Sequence, residues 1–240
     1  MSSWASCKSS RGSGDVILAL DTATSVGSVA LYAAEGLIVA RYFDIGLQHS
    51  QRLFTEIEAV LQTASMDMAG VRAVAVSSGP GSFTGLRIGL SAAKGLCLAT
   101  DKTLVTVSTL DILAARLPFA RLPVCAVLDA RKREVYTALY DNSSGAPVQL
   151  LPPRALAPVH LAEERSGEAT VYTGDGAEVY RDLLAGNPAA KFAPPFCARP
   201  EAGTIGWLAL SKLAQGETAD LDSIEPDYLR APDARPLPKV

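Results

Sequence analysis

Residues 71–99 read VRAVAVSSGPGSFTGLRIGLSAAKGLCLA. The stretch opens on a valine-rich apolar run, Val71 to Val76, and turns through Ser77, Ser78, Gly79, Pro80 and Gly81. From Gly85 onward leucine, isoleucine and small residues recur at helical spacing, so the segment predicts strand, tight turn and helix. Glycines at a helix entrance invite a phosphate-binding reading, because they expose backbone N–H groups to anions. The spacing opposes it. A Walker loop needs Gly-Lys-Ser/Thr at the helix start, and here Gly85 is followed by Leu86 and Arg87. The dinucleotide fingerprint needs its last two glycines three apart, whereas Gly81 and Gly85 are separated by four. Pro80 also deletes one of the amides that would cradle the anion.

At a hundred degrees per residue, Gly85, Gly89, Ala92, Leu96 and Ala99 share one narrow face of this helix, while Arg87, Ser91 and Lys94 lie opposite. So thin a polar stripe predicts a helix covered on more than one side. Glycine inside a helix costs about 1 kcal/mol relative to alanine, which makes Gly89 and Gly95 ask for a close backbone neighbour. That neighbour is either the chain's own sheet or another subunit.

The chain has 240 residues, enough for one sizeable core or two half-size lobes. It is 48% hydrophobic and 20% charged with a net charge of −3, which excludes a protein that grips nucleic acid through a general excess of lysine and arginine. Cys7, Cys97, Cys125 and Cys197 are scattered without zinc or redox spacing and read as reduced structural thiols of a cytosolic protein. Residues 1–15 are serine-rich without an apolar segment, the pattern of a disordered polar arm and not of a signal peptide. No apolar run reaches membrane-spanning length.

Around the opening stretch, Val16 to Leu20 reads as a buried strand ending on Asp21, followed by strands Ser28 to Ala33 and Leu37 to Phe43. His49 to Ala64 is an amphipathic helix. A strand near Leu104 to Val107 and a helix from Leu110 to Arg116 follow the glycine-rich helix. After Pro118 and Pro123 the order restarts, with a strand Val124 to Leu128 ending on Asp129, a charged turn at Arg131, Lys132 and Arg133, and a strand Val135 to Tyr140. Leu20-Asp21 precedes Ala30-Leu31-Tyr32 at the same spacing by which Leu128-Asp129 precedes Ala138-Leu139-Tyr140. Each half also offers a strand entering a Gly-x-Gly turn, Gly79-Pro80-Gly81 and Gly174-Asp175-Gly176. Together these matches predict an α/β protein made of two duplicated ribonuclease-H-like lobes, residues 16–117 and 118–240. The second lobe is degraded: Asn142 to Pro158 reads as loop, Asn187 to Pro200 carries four prolines, and a helix from Ala202 to Gln215 closes the core.

Catalytic constellations are sparse. His49 and His160 are the only histidines, and neither a His-Glu-x-x-His nor a Gly-x-Ser-x-Gly motif is present. Asp21 and Asp129 end corresponding strands, where two-lobed nucleotide enzymes place metal-linked carboxylates and where an Asx residue also commonly bonds its own turn. The Arg131–Arg133 run could touch RNA, but it reads first as a solvated hairpin tip.

ILALDTATSVGSVAL, HSQRLFTEIEAVL, AVAVSSGPGSFTGLRIGLSAAKGL and the string Pro226-Asp227-Tyr228-Leu229-Arg230 closely resemble the TsaB (YeaZ-like) family, the dimerisation subunits of the bacterial machinery for threonylcarbamoyladenosine in tRNA. The resemblance runs from Val16 to Arg230. It implies an actin-like, sugar-kinase-like (ASKHA) fold and a subunit without catalytic, cofactor-binding or metal-binding residues of its own. The paralogous TsaD carries a metal-binding His-x-x-x-His where this chain reads Thr109-Leu110-Asp111-Ile112-Leu113. The family's older glycoprotease label therefore finds no catalytic residues here. The implied partners are a TsaD-like paralogue, a TsaE-like ATPase and, without them, a second copy of the chain. Contact with tRNA comes only through the complex, which also leaves room for ATP; the setting is cytoplasmic with no membrane. The implied interface lies on the first two helices, through His49, Leu53, Ile57, Leu61, Gly85, Arg87, Gly89, Ala92, Ala93 and Leu96. An autonomous actin-like ATPase or small-molecule kinase is the rival reading, set back by a second lobe whose only dense glycine cluster is Gly174-Asp175-Gly176.

Overall fold

A computed structural model describes residues 15–44 and 49–230. The expected polar arm, apart from Asp15, lies outside the described residues. Strands β1 (Val16–Asp21), β2 (Val26–Ala33), β3 (Gly36–Asp44), β4 (Val71–Gly79) and β5 (Thr103–Ser108) form one sheet in the order β3-β2-β1-β4-β5. The second sheet takes β6 (Val124–Asp129), β7 (Val135–Asp141), β8 (Val148–Leu156), β9 (Thr170–Thr173) and β10 (Ala190–Phe192) in the order β8-β7-β6-β9-β10. In both, the first three strands in sequence are antiparallel and the last two join in parallel. The duplication read from the sequence is thus a repeated topology.

Alternation along the strands sorts side chains into layers. Leu18, Leu20, Val29, Leu31, Val74 and Val76 pack beneath α1 (His49–Thr63) and α2 (Phe83–Thr100), which supply Leu53, Ile57, Val60, Leu90 and Ala93. The opposite face, with Ile17, Ala19, Ala30, Ala75 and Val105, is covered by Ala202, Ile205 and Ala209 of α7 (Ala202–Ala214). Its alanines let that helix come very close: a Cβ added at Gly206 would lie 2.4 Å from Tyr32 Cβ. Helix α3 (Thr109–Ala115) shares this middle layer. Ile112 joins the α7 cluster, while Leu110, Leu113 and Ala114 pack on Val124, Ala126, Leu128, Ala138 and Tyr140 of the second sheet. On that sheet's outer side Leu161 of α4 (Pro158–Glu164), Ala177 of α5 (Asp175–Val179) and Leu184 of α6 (Arg181–Leu184) meet Cys125, Val127 and Tyr172.

Three expectations need correction. Residues 202–230 are expected in the second lobe, yet α7 packs on the first sheet and the chain beyond it runs along that sheet, with Ala219 N–H donating to Leu104 O and Asp227 N–H to Ser78 O, before Arg230 reaches Glu134 of the second. The Asn142–Pro158 segment, read as loop, contains β8 with Pro152 and Pro153 inside it. An edge strand tolerates proline because one side of its backbone needs no ladder partner, and β8 is such an edge. Asp21 and Asp129 do end the corresponding strands β1 and β6, as expected, but the equal spacing seen in the sequence does not carry into the two hairpins, which differ in register. Asp21 pairs with Ser28, whereas Asp129 pairs with Val135, so the second connection is shorter by one residue. Ala30 and Ala138 both face the middle layer, and Leu31 and Leu139 both face the outer helices. By alternation, however, Asp21 belongs with Ile17 and Ala19 on the middle side and Asp129 with Cys125 and Val127 on the outer side. A one-residue slip exchanges the faces of a strand. Among the described residues, no helix is long and apolar enough to cross a membrane.

Candidate functional site: the first-lobe corner and the outer face of α2

Strand β4 ends at Gly79, whose φ of 123° suits glycine and which joins Pro80 through a cis peptide bond. Ser82 then caps α2, its side chain accepting from Gly85 N–H at 3.3 Å. The turn after β1 lies directly over the first turns of the helix. Thr22 Oγ1 donates to Gly85 O at 2.8 Å, and Ser82 N–H donates to Ala23 O at 2.7 Å. A Cβ at Gly85 would stand 2.0 Å from Thr22 O, and one at Gly89 2.3 Å from Thr22 Oγ1. The neighbour that requires these glycines, backbone at Gly85 and a side chain at Gly89, is therefore the chain's own Thr22.

Most of the residues expected at the interface on the first two helices are covered. Gly85 and Gly89 are covered by Thr22, and Leu53, Ile57, Ala92 and Ala93 are buried in the first core, so they offer no surface. Leu61 and Leu96 are half-buried, and Arg87 is exposed. His49 is the first residue of α1, and its side chain lies outside the described residues. The side of α2 turned to solvent is an adjoining one: Thr84, Arg87, Ser91, Gly95 and Leu98 are exposed, Leu98 by 68%, and of the expected strip Ala99 is exposed with them. Among the described residues, no neighbour lies within 4 Å of a Cβ built at Gly95. On α1, Phe54 and Glu58 are exposed on the same side of the sheet.

Sequence reasoning missed the order imposed at this corner by the Pro226–Arg230 string. Ser78 Oγ donates to Asp227 Oδ2 at 2.6 Å, Tyr228 stacks 5.2 Å from the Phe83 ring, and Arg87 lies 3.8 Å over Phe83 while donating to Tyr228 OH at 3.0 Å. The string was visible, but its contacts span some 140 residues and leave no periodic signal.

The strand-end carboxylates sit in closed settings. Asp21 is fully buried; Oδ1 accepts from Ser77 Oγ at 2.7 Å and Ala23 N–H at 3.1 Å, while Oδ2 is buried without a hydrogen bond. Burial pushes its pKa up to about 6 against the relief of those bonds. Asp129 instead accepts from Arg131 N–H at 2.9 Å and faces the Arg131 guanidinium at 3.3 Å, the Asx-turn reading of that residue. Asp175 accepts from Asp129 N–H at 3.0 Å, and burial raises its pKa. The glycines around it are packing devices, since a Cβ at Gly174 would lie 2.1 Å from Val127 O and one at Gly176 2.7 Å from Leu128 C. Thr109 and Leu113 are both buried in the middle layer, Thr109 Oγ1 without a hydrogen bond. Among the described residues, no group of three or more His, Cys, Asp or Glu side chains could hold a metal ion. Cys97, Cys125 and Cys197 are free and buried; burial pushes the first two thiols up to about 11, away from thiolate chemistry. Cys7 lies outside the described residues.

The sequence model described as TsaD: tRNA N6-adenosine threonylcarbamoyltransferase matches residues 45–236. The tRNA threonylcarbamoyladenosine biosynthesis protein TsaB of Escherichia coli is 33% identical over 220 residues, covering 89% of this chain and 94% of the relative. Its Bacillus subtilis counterpart is 28% identical over 223 residues, covering 91% and 95%. The structure of YeaZ from Pseudomonas aeruginosa superposes with a TM-score of 0.79 at 30% identity, over 90% of this chain and all of that one. Component A of the Acidaminococcus fermentans (R)-2-hydroxyglutaryl-CoA dehydratase, 13% identical with a TM-score of 0.51, covers 84% of this chain and shares the fold alone. The fold is the two-lobed actin-like, sugar-kinase-like one, and the chain belongs to the TsaB (YeaZ) family.

Proposed function

We propose that this chain is the dimerisation subunit of the tRNA threonylcarbamoyladenosine machinery. It pairs with a TsaD-like paralogue through the outer face of α2 and the adjoining side of α1. In that pair it supports threonylcarbamoyl transfer to the adenosine next to the anticodon without performing it. A TsaE-like ATPase joins the pair, and without the paralogue the chain pairs with itself.

The observation that carries this reading is the solvent-facing side of α2, where Ser91 and Gly95 leave the backbone approachable and Leu98 stands out as an apolar contact. Arg87, held by Phe83 and Tyr228, frames one end of that face. A non-catalytic role is supported by the sealed position of Thr109 and Leu113, where the paralogue's metal-binding histidines have their counterparts, and by the closed settings of Asp21 and Asp129.

Gly95→Arg places a long cation where nothing crowds a side chain, and Leu98→Asp removes the apolar contact; both should fold normally. The expected result is a monomer by light scattering and no capture of a TsaD-like protein in pull-down. Folded variants that still dimerise and still capture the partner would place the interface elsewhere. Steady ATP hydrolysis by the pure chain, lost on Asp21→Ala, would favour the autonomous ATPase reading instead.

A further inference from the structure

The hairpin between β6 and β7 turns through Arg131, Lys132 and Arg133 with φ of 61°, 52° and 62°. Three consecutive residues thus occupy the left-handed region, which L side chains rarely adopt. Among the described residues, the other positive-φ residues that are not glycine, Ser65, Asp101 and Phe119, are isolated. The turn is closed by Glu134 N–H donating to Arg131 O and Ala130 N–H donating to Glu134 O, both at 3.0 Å. Its central pair, Lys132 and Arg133, fills the two left-handed positions where Asn-Gly is the relaxed choice. The root is pinned by Asp129, which accepts from Arg131 N–H and pairs with its guanidinium. Glu134, at the far end of the turn, is engaged by Arg230 at 2.8 Å.

All three side chains of the tip are exposed, that of Arg131 by 85%, on a chain whose net charge is −3. The local backbone therefore carries three long cations where smaller residues would sit without strain. Sparsely populated backbone conformations of this kind gather at binding sites, where the side chains they present justify them. Guanidinium and ammonium groups in a row match phosphates spaced along a nucleic-acid strand, and such contacts read charge and not sequence. A protein partner would draw its energy from buried aromatic or aliphatic anchors, and the tip offers charges.

We propose that Arg131, Lys132 and Arg133 form a phosphate-backbone contact for RNA, positioning the tRNA on the assembled complex. The proposal rests on the function proposed above and adds a direct contact by this chain. The test is the triple variant Arg131→Asn, Lys132→Asn, Arg133→Gly, which supplies an Asn-Gly turn. It should melt at or above the wild-type temperature and still be captured by the TsaD-like partner. Its complex should bind tRNA about ten-fold or more weaker at ~0.1 M salt, and the slope of log affinity against log salt should flatten by about one per cation that touches a phosphate.

A second arm uses the chain alone with tRNA at ~20 mM salt, where the wild type should cross-link under ultraviolet light and the variant should not. Failure of partner capture by the wild type would overturn the subunit reading while this arm still decides the hairpin. A folded variant with unchanged tRNA affinity and salt slope overturns the proposal, as does a wild type that binds no tRNA in either arm. Competition by polyglutamate as effective as that by a mixed-sequence RNA would point to an acidic protein partner and also overturn it.

Discussion

Asp21 shows how a single burial couples the fold to pH. An unfolded aspartate titrates near 3.8, whereas in the fold burial lifts this one to about 6. Between those values the folded chain keeps a proton that the unfolded chain has released. Stability therefore falls as pH rises through that window, and the loss is complete above about 6. The gap corresponds to roughly 3 kcal/mol. Its source is a carboxylate whose Oδ2 has no hydrogen bond in the core and is cheaper to bury as a neutral acid. Asp21→Asn keeps the shape and cannot titrate. The stability of the wild type relative to this variant should drop by up to ~3 kcal/mol between pH 4 and pH 7, measured as urea midpoints at each pH. Parallel curves would show that Asp21 is ionised in the fold at all of those values. That Asp21 ends a strand was legible in the sequence. Its burial was not, because the cover comes from Ser77 and the remote middle layer.

At the scale of the element, α2 tests how far periodicity reaches. Its glycine face was legible at a hundred degrees per residue, but both faces of the helix are small or apolar, and the pattern does not say which one meets the sheet. The structure settles it through Thr22, and the three glycines should answer differently to the same change. Gly85→Ala drives a methyl against Thr22 O and should cost about 1–3 kcal/mol or more, with Gly89→Ala close behind. Gly95→Ala meets open space and should stabilise by up to about 1 kcal/mol through helix propensity. Differential scanning calorimetry on the three single variants should give two lowered melting temperatures and one raised. A stabilised Gly85→Ala would mean that Thr22 does not sit on this helix.

Across the whole molecule the two lobes are joined through a shared middle layer. Helix α3 follows the first sheet in sequence and packs largely on the second, while α7 follows the second and packs on the first. Arg116, just beyond α3, pairs with Glu201 at the entrance of α7, and Arg230 of the terminal segment pairs with Glu134 of the second-lobe hairpin. Crossed helices make each lobe's core depend on chain from the other half, so the molecule should unfold in one transition. Ile112→Ala, at a fully buried position in that layer, should cost about 2–5 kcal/mol. It should lower the single midpoint seen by far-UV circular dichroism and by tryptophan fluorescence alike. Two separated transitions, with only one displaced, would show that the lobes fold independently.

The amino-acid sequence by itself determined the strands of the first sheet and the β6–β7 pair of the second, the long helices, the duplicated order and the family, because apolar periodicity and the string GPGSFTGLRIG are local properties of the chain. Three things were decided only in three dimensions. Which side of α2 faces solvent depends on Thr22, which bonds Gly85 across 63 residues. Whether Asp21 and Asp129 share a face depends on a one-residue difference between two hairpin connections, and equal spacing of Leu-Asp and Ala-Leu-Tyr conceals it. The lobe that receives α7 depends on the alanine-lined face of the first sheet, which admits a helix backbone at close range. Periodicity states which residues travel together on one face; what lies opposite that face is set by contacts distant in sequence, and those exist only once the chain has closed on itself.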